Sequence, residues 1–301
     1  HSGRFGDFSE DLLSVVLEEA GRLASHEVEP FVTAAEKTGA KLENGMVTMP
    51  AGWQDVWNSF VEGGWNSVAS PEAYGGQGLP LTVSMAALEI WNSCSLAFGL
   101  CPTLTSGAVE ALNAHASDEL KDRYLPKMIS GEWTGTMNLT EPQAGSDLGA
   151  IRTRAERMPD GTYRIFGQKI FITFGEHDLS GNIIHLVLAR VSDAPAGTRG
   201  ISLFVVPKFI PDADGNPGAR NDVICASIEH KLGIHCSPTC VMIYGDGKGA
   251  DATPGAIGWL VGEENRGLAC MFTMMNLARL SVGLQGVGIA ERATQQALDY
   301  A

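Results

Sequence analysis

The stretch Thr136-Met-Asn-Leu-Thr-Glu-Pro-Gln-Ala-Gly-Ser-Asp147 decides the fold, because it lies between a helix-rich segment and a strand-rich one. Gly145 has no Cβ and can adopt backbone angles that are closed to other residues. The stretch can therefore leave a strand, turn sharply, and present bare amides and the hydroxyls of Thr140 and Ser146 to a flat or anionic ligand. A plain Gly/Pro turn between two strands is the alternative, since a lone Gly-rich turn is weak evidence.

Composition narrows the class of protein. The chain has 301 residues, of which 44% are apolar and 19% charged, as in ordinary globular proteins of two or three units. A net charge of −14 argues against a nucleic-acid-binding surface, which needs Lys and Arg to neutralise phosphates. It still permits one local basic pocket for a phosphorylated small molecule. No apolar run approaches the roughly 18 residues that span a bilayer, and the first residues lack a signal-peptide pattern.

The six cysteines show no disulfide or metal framework spacing. Cys236 and Cys240 resemble half a metal site, but no second Cys pair stands near them in the sequence. His230 and His235 are separated by a step that suits neither one helix face nor one strand face. We therefore expect reduced, mostly buried thiols in a cytoplasmic protein, with no metal.

The first part of the chain reads as an all-helical domain, residues 1–132. Apolar residues recur at helical spacing from Phe8, with Ser9 as the N-cap, to an end near Pro30. Polar and Gly/Pro-punctuated residues 41–52 predict a loop with a short hairpin. Ser117 precedes acidic residues and predicts another helix start. The remaining predicted helices cover residues 54–60, 81–94 and 103–115.

The apolar period then changes to that of strands, which predicts a compact antiparallel β barrel or sandwich over residues 133–261. The predicted strands cover residues 163–173, 183–190, 201–207 and 240–244. Residues 262–301 return to helical spacing and predict the first helices of a C-terminal helical domain, which makes the fold class α+β. The long helix 282–301 carries Gly283, Gly286 and Gly288, which cost helix stability and predict close packing against another helix. We expect the chain to be cut within this helix, because Ala301 brings no stop signal.

The order of helical domain, β domain and helices, without any βαβ repeat, argues against a Rossmann fold. Four motifs in this order resemble those of the acyl-CoA dehydrogenase family of flavoenzymes: Pro71-Glu-Ala-Tyr-Gly-Gly-Gln-Gly78, Thr140-Glu-Pro-Gln-Ala-Gly-Ser-Asp147, Gly167-Gln-Lys-Ile-Phe-Ile-Thr173 and Lys231-Leu-Gly233. Within that family, residues 175–190 and an insert around 212–222 resemble the 3-methylthiopropanoyl-CoA dehydrogenase branch.

The resemblance implies an FAD site. The loop formed by residues 137–146 would lie along the flavin, with Leu139 and Thr140 beside the isoalloxazine and Ser146 near the cofactor or the CoA pyrophosphate. A second segment, residues 171–173, would cover the other edge of the ring. There Phe171 replaces the Trp of many relatives and lacks its indole N–H. The full implied cofactor set is Met137, Leu139, Thr140, Gly145, Ser146, Phe171, Ile172 and Thr173.

The resemblance also implies contacts with an acyl-CoA substrate from Ser146, Asn276 and Arg279. Asn276 is often Asp in relatives. Simpler roles stay open at this point: Thr140 and Ser146 could only cap turns, and Arg279 could be an ordinary surface or ion-paired arginine.

The implied reaction is oxidation of an acyl thioester to the 2,3-enoyl thioester, with the α-proton passing to a carboxylate base and the β-hydride to flavin N5. Most relatives place the base further along the chain, and a minority place it where this chain has Ala278. Glu141 and Asp147 are expected to accept backbone N–H bonds, and Glu263 and Glu264 to be solvated. We therefore expect no catalytic base in these residues, a base beyond Ala301, and no turnover by this piece alone.

The resemblance further implies an electron-transfer flavoprotein as electron acceptor and a homodimer or homotetramer at full length. We expect no nucleic-acid partner and no membrane insertion. The alternatives are an acyl-CoA oxidase or other non-dehydrogenating flavoprotein of the same fold, and a catalytically silent scaffold. Acyl-chain length cannot be read from the sequence, because one methylene contributes only about 1–3 kcal/mol of discrimination.

Overall fold

A computed structural model describes residues 9–301, so the predicted helix start at Phe8 lies outside the described residues. Helix α1 (Glu10–Arg22) is capped by Ser9, whose Oγ accepts a hydrogen bond from the Leu12 N–H at 3.1 Å. A π-helical stretch, Leu23–Val28, leads directly into α2 (Glu29–Thr38). The predicted end near Pro30 is therefore wrong. Pro30 lies in the first turn of α2, where its missing N–H costs no helical hydrogen bond.

The other N-terminal elements follow the predicted order. The hairpin consists of β1 (Lys41–Glu43) and β2 (Met46–Thr48). The helices are α3 (Trp53–Glu62), α4 (Leu81–Cys94), α5 (Leu96–His115) and α6 (Asp118–Ser130). Helix α5 begins at Leu96 rather than Thr103, because the Ser95 hydroxyl caps it and Pro102 is accommodated inside it. The predicted cap at Ser117 is confirmed, since its Oγ accepts from the Leu120 N–H at 3.4 Å.

The strands in the middle of the chain are β3 (Trp133–Asn138), β4 (Arg154–Arg157), β5 (Tyr163–Thr173), β6 (Asn182–Val191), β7 (Ser202–Pro207), β8 (Phe209–Pro211), β9 (Pro217–Arg220), β10 (Val223–Ile228), β11 (Thr239–Tyr244) and β12 (Ala256–Val261). Eight of them form one sheet with the strand order β10-β11-β5-β12-β7-β6-β3, in which β4 pairs with both β5 and β6, while β8 and β9 pair in a separate two-stranded sheet. Most pairings are antiparallel, as predicted, but β3 and β4 each run parallel to β6. The parallel pairing of β3 with β6 is possible because a long connection that contains β4 and β5 separates them.

The chain ends in one 34-residue helix, α7 (Gly267–Tyr300), which begins earlier than the predicted residue 282. Only part of the predicted glycine packing is present. A Cβ on Gly288 would lie 3.1 Å from the Glu89 carbonyl oxygen of α4, whereas no atom of residues 9–301 lies within 4 Å of a Cβ on Gly283 or Gly286. Within residues 9–301, α7 is the one helix whose length and apolar composition would suit a membrane span, and core helices of globular proteins pass the same test.

Helix α5 joins the helical part to the sheet. The Thr105 Oγ1 accepts a hydrogen bond from the Gly135 N–H of β3 at 3.1 Å. A Cβ on Gly135 would lie 2.5 Å from that of Ala108, so glycine is needed for this close approach. Because α5 also packs against α7 at Gly107 and Met274, it fixes the position of β3, and of the loop after β3, relative to both helices.

Candidate functional site

The two segments assigned to the flavin adjoin each other. The Ile170 N–H of β5 donates to the Thr140 carbonyl oxygen at 2.9 Å, and the Thr136 Oγ1 donates to the Thr173 carbonyl oxygen at 2.7 Å. The loop that follows β3 and the C-terminal end of β5 therefore form one continuous surface. This juxtaposition is the one that the resemblance requires.

A β-bulge presents Phe171 on that surface. In the β5–β11 pairing, Ile172 lies opposite Cys240 and Lys169 opposite Met242, so two residues of β5 stand across from the single residue Val241. Phe171 takes the left-handed φ of 59°, which is unfavourable for a bulky residue. Its side chain is 57% exposed, while Ile172 is buried. Backbone strain that exposes an aromatic ring is typical of a functional position.

A buried ion pair holds the loop in place. The Glu141 carboxylate is 3% exposed and accepts hydrogen bonds from the Arg152 N–H at 2.6 Å, the Thr153 N–H at 3.1 Å and the Thr153 Oγ1 at 2.6 Å. Lys169 Nζ donates to Glu141 Oε1 at 2.8 Å and to the Leu139 carbonyl oxygen at 2.9 Å. The prediction that Glu141 accepts backbone hydrogen bonds is confirmed.

The same contacts set the ionisation of the pair. Burial alone would raise the pKa of Glu141, but Lys169, Thr153 and the Arg152 N–H together hold that pKa below its ordinary value. Burial lowers the pKa of Lys169 to about 8, against the opposing influence of Glu141. Both groups are therefore charged at neutral pH, and the pair joins the loop to the strand that carries Phe171.

The loop leaves its polar groups free to bind. Gly145 and Ser146 are exposed, Thr140 and Met137 are partly exposed, and Leu139 is nearly buried. The turn is capped by Asp147, whose Oδ1 accepts from the Gly149 N–H at 2.8 Å, as predicted. Within the part of the chain that the structure describes, neither the Thr140 nor the Ser146 hydroxyl has a hydrogen-bond partner. These hydroxyls are therefore available to a ligand, and the alternative that they only cap turns loses its support.

Asn276 and Arg279 lie on α7 and interact with each other. Arg279 Nη1 donates to Asn276 Oδ1 at 2.9 Å, and its guanidinium carbon lies 5.3 Å from the centre of the Phe272 ring. Both polar side chains are exposed. Among residues 9–301, Arg279 forms no ion pair with a carboxylate, and no hydrogen bond joins either residue to the loop 137–146. The structure thus places the two side by side on one helix.

The prediction that Glu264 is solvated is wrong. Its carboxylate accepts from Arg157 Nε at 2.7 Å, from Arg157 Nη2 at 2.6 Å and from the Tyr163 hydroxyl at 2.8 Å. The bond to Arg157 lowers the pKa of Glu264 below its ordinary range. Glu263 is exposed, as predicted. The sequence held no local signal for the Glu264 pair, because its partners are far away along the chain.

Sequence reasoning also missed a cavity between helices α3, α4, α5 and α7. Its empty space, open mouth included, is about 550 Å³. Two oxygen acceptors there have no partner within residues 9–301: Asn66 Oδ1, which is buried, and the half-buried Glu110 carboxylate, whose pKa is raised by burial. The residues that line the cavity include Phe60, Trp65, Asn66, Ser70, Met85, Trp91, Thr103, Ser106, Glu110, Leu277 and Ser281. The sequence signal that could have indicated this cavity is the recurrence of polar residues on otherwise apolar helices.

Two histidines are buried, His185 on β6 and His177 in the connection between β5 and β6. The Tyr244 hydroxyl lies 2.8 Å from Asn138 Oδ1 and 3.1 Å from His185 Nδ1. His177 Nε2 lies 3.0 Å from the Thr134 hydroxyl. Burial, reinforced by Lys208, lowers the pKa of each histidine to about 3, so both are neutral.

In the described ranges, no group of three or more His, Cys, Asp or Glu side chains is arranged to hold a metal ion, and the six cysteines are free thiols.

Comparison with known proteins identifies the class. Residues 13–132 match the acyl-CoA dehydrogenase N-terminal domain, and residues 136–246 match the acyl-CoA dehydrogenase middle domain. The chain therefore belongs to the acyl-CoA dehydrogenase family. The predicted family and fold are confirmed.

Individual relatives show how much of such a protein the chain represents. It is 53% identical, over 99% of its length, to the 3-methylmercaptopropionyl-CoA dehydrogenase of Ruegeria pomeroyi, and it spans 49% of that protein. A solved butyryl-CoA dehydrogenase from Megasphaera elsdenii shares the fold, with a TM-score of 0.78 at 23% identity, and the match covers 98% of this chain and 70% of that one. An acyl-CoA dehydrogenase from Bacillus anthracis, solved in complex with FAD, matches with a TM-score of 0.76 at 25% identity, over 98% of this chain and 44% of that one.

Proposed function

We propose that the protein oxidises an acyl-CoA thioester to the 2,3-enoyl-CoA with FAD as cofactor. The observation that carries the proposal is the surface formed by the loop 137–146 and residues 171–173. It combines an exposed aromatic ring, two hydroxyls without partners and bare loop amides in one place. The family supports the same assignment, since a related protein was solved with FAD.

The residues of this surface suit a flat, partly polar ring system. Phe171 would give an apolar face to the isoalloxazine, with the buried Leu139 and Ile172 packed beneath the surface, while Thr140, Ser146 and the Gly145 backbone would donate hydrogen bonds to its polar edge or to the pyrophosphate. FAD, when bound, supplies the two-electron acceptor for the β-hydride, which no side chain can provide. The protein's share is orientation, and the Glu141–Lys169 ion pair provides it by holding the loop against β5.

For the substrate, we propose that Asn276, Arg279 and Ser146 contact the CoA part and that the interhelical cavity takes the acyl tail. The α-proton would pass to a carboxylate outside these 301 residues, because the position that serves a minority of relatives is Ala278. Such a base must be desolvated, so that its pKa rises toward working pH. The buried carboxylate on the loop, Glu141, already accepts hydrogen bonds from Lys169 and from backbone N–H groups, so it is not available as the base.

The remaining features of the proposal concern the whole protein. We propose domain limits of 1–132, 133–261 and 262–301, a cytoplasmic location, and a homodimer or homotetramer. An electron-transfer flavoprotein would reoxidise the cofactor. The methylthio-substituted acyl group named for the Ruegeria relative, at 53% identity, is the substrate we propose to test before others.

The test is a titration of FAD against the 301-residue chain, followed by the quenching of flavin fluorescence. We expect binding to the wild type and at least tenfold weaker binding to a Thr140→Val, Ser146→Ala double variant, with Ser130→Ala as the matched surface control. Anaerobic addition of an acyl-CoA should leave the flavin oxidised, because the proposed base lies outside these 301 residues. Reduction of the flavin would contradict the placement of the base, and failure to bind FAD would contradict the site.

A further inference from the structure

Strand β3, which leads into the loop 137–146, carries polar side chains on a buried face. Thr134, Thr136 and Asn138 alternate along the strand and therefore face the same side, and none of them is more than 1% exposed. Each makes a hydrogen bond outside β3, and Asn138, the last residue of the strand, makes its bond with the Tyr244 hydroxyl at 2.8 Å. Apolar side chains would fill such a face without needing partners, so these directional contacts serve to define a position.

The hydrogen bonds around Tyr244 have one consistent direction. Asn138 Nδ2 donates to the Thr136 carbonyl oxygen at 3.4 Å, which turns Oδ1 of the same amide toward Tyr244. Because Asn138 Oδ1 can only accept, the Tyr244 hydroxyl donates to it. The hydroxyl oxygen is then free to accept from His185 Nδ1, which lies 3.1 Å away.

This direction assigns the tautomer of His185. Burial lowers the pKa of His185 to about 3, so the ring is neutral and carries one N–H. That proton lies on Nδ1, because Nδ1 is the nitrogen that faces the Tyr244 oxygen. Within residues 9–301, Nε2 has no partner, and an orphaned acceptor is a commoner feature of buried sites than an orphaned N–H. A chain of donors therefore runs from His185 on β6 through Tyr244 on β11 to Asn138 on β3.

The end of this chain adjoins the surface assigned to FAD. Asn138 directly precedes Leu139, whose carbonyl oxygen accepts from Lys169 Nζ at 2.9 Å. Two consecutive residues at the start of the loop are thus held by buried groups, one through its side chain and one through its backbone. Loss of the Tyr244 hydroxyl would leave Asn138 Oδ1 buried without a donor, and a shift of the end of β3 would relieve that penalty.

We propose that Tyr244, oriented by the Nδ1–H tautomer of His185, is a positioning residue that holds Asn138 and the start of the loop 137–146 in the place that FAD binding requires. The inference rests on the proposed function, since it assigns FAD to the surface of this loop. Tyr244 is buried and would act on the cofactor only through Asn138.

The experiment titrates FAD against the 301-residue chain and records the visible absorption of the bound flavin. The variants are Tyr244→Phe, His185→Asn, His185→Gln and Tyr163→Phe. Tyr163 is the matched control, because its hydroxyl also donates one hydrogen bond, to Glu264 at 2.8 Å, at the opposite end of β5 from the loop contacts. Urea denaturation confirms that each variant is folded, and nitrogen-15 NMR of the wild type reports the His185 tautomer directly.

We expect Tyr244→Phe to bind FAD about tenfold more weakly than the wild type, and to shift the absorption band of the bound flavin, because the loop is displaced. Tyr163→Phe should change neither quantity. His185→Asn should bind FAD like the wild type, because the asparagine amide nitrogen can take the place of Nδ1. His185→Gln should bind like Tyr244→Phe, because its amide nitrogen reaches the position of Nε2 instead.

Three results would overturn the inference and leave the proposed function intact. They are a His185 proton on Nε2 in the wild type, an unchanged FAD affinity and flavin spectrum in folded Tyr244→Phe, and equal affinities of the two His185 variants. Failure of the wild type to bind FAD would instead contradict the proposed function, and the inference with it.

Discussion

Replacing Glu141 by glutamine should destabilise the protein far more than an ordinary loss of an ion pair. The carboxylate is 3% exposed and Lys169 is fully buried, with 2.8 Å between Glu141 Oε1 and Lys169 Nζ. The variant would leave the lysine charge buried without its counter-charge, which typically costs about 3–5 kcal/mol. For a protein of this size, the melting temperature should fall by on the order of 10 °C.

Urea denaturation followed by circular dichroism measures the loss. Glu156→Gln is the matched control, because Glu156 pairs with Arg154 at 3.0 Å while both side chains are more than half exposed. This control should cost less than about 1 kcal/mol. The double variant Glu141→Gln, Lys169→Met should recover much of the loss, since removing both charges leaves none buried alone. A loss for Glu141→Gln no larger than that of the control, or no recovery in the double variant, would refute the reasoning.

Three further predictions concern other parts of the molecule. The buried histidines His177 and His185 have folded-state pKa values of about 3, below the ordinary 6.5, so the unfolded chain takes up their protons first as the pH falls. The free energy of unfolding should therefore decline below pH 6.5 and continue to fall toward pH 3. Between pH 7.5 and 5 the loss should be about 2 kcal/mol per histidine. A free energy of unfolding from urea denaturation that stays constant over that interval would count against this account. Gly283→Ala should stabilise α7 by about 0.5–1 kcal/mol, because the new methyl group meets no neighbour among residues 9–301, whereas Gly288→Ala should lower the melting temperature because the α4 backbone lies 3.1 Å away. Phe171→Ala should weaken FAD binding about tenfold while changing the free energy of unfolding little, since the ring is 57% exposed; equal affinity of both proteins for FAD would show that the ring is not part of the site.

The helices and most strands were predictable because each depends on local periodicity and capping. Ser9 and Ser117 both cap helices, and β5 spans the predicted residues 163–173. The end predicted near Pro30 was wrong because the sequence alone did not reveal that α2 begins there, with Pro30 in its first turn.

The details that shape the site were less accessible from sequence. The bulge that exposes Phe171 depends on the register between β5 and β11, and two strands far apart in the sequence carry no local mark of that register. The partner of Glu141 was equally hidden, because a lysine within a strand is ordinarily expected to be exposed. The cavity of Asn66 and Glu110 requires four helices to meet, which apolar periodicity cannot indicate.

A crystal structure of the chain with FAD bound tests the central assignment most directly. We predict that the isoalloxazine lies against Thr140 and Ser146 on one side and the Phe171 ring on the other, with the Glu141–Lys169 pair unchanged beneath it. Electron density for the ring at any other place on the protein, or apolar side chains closing the surface between these two segments, would contradict the assignment.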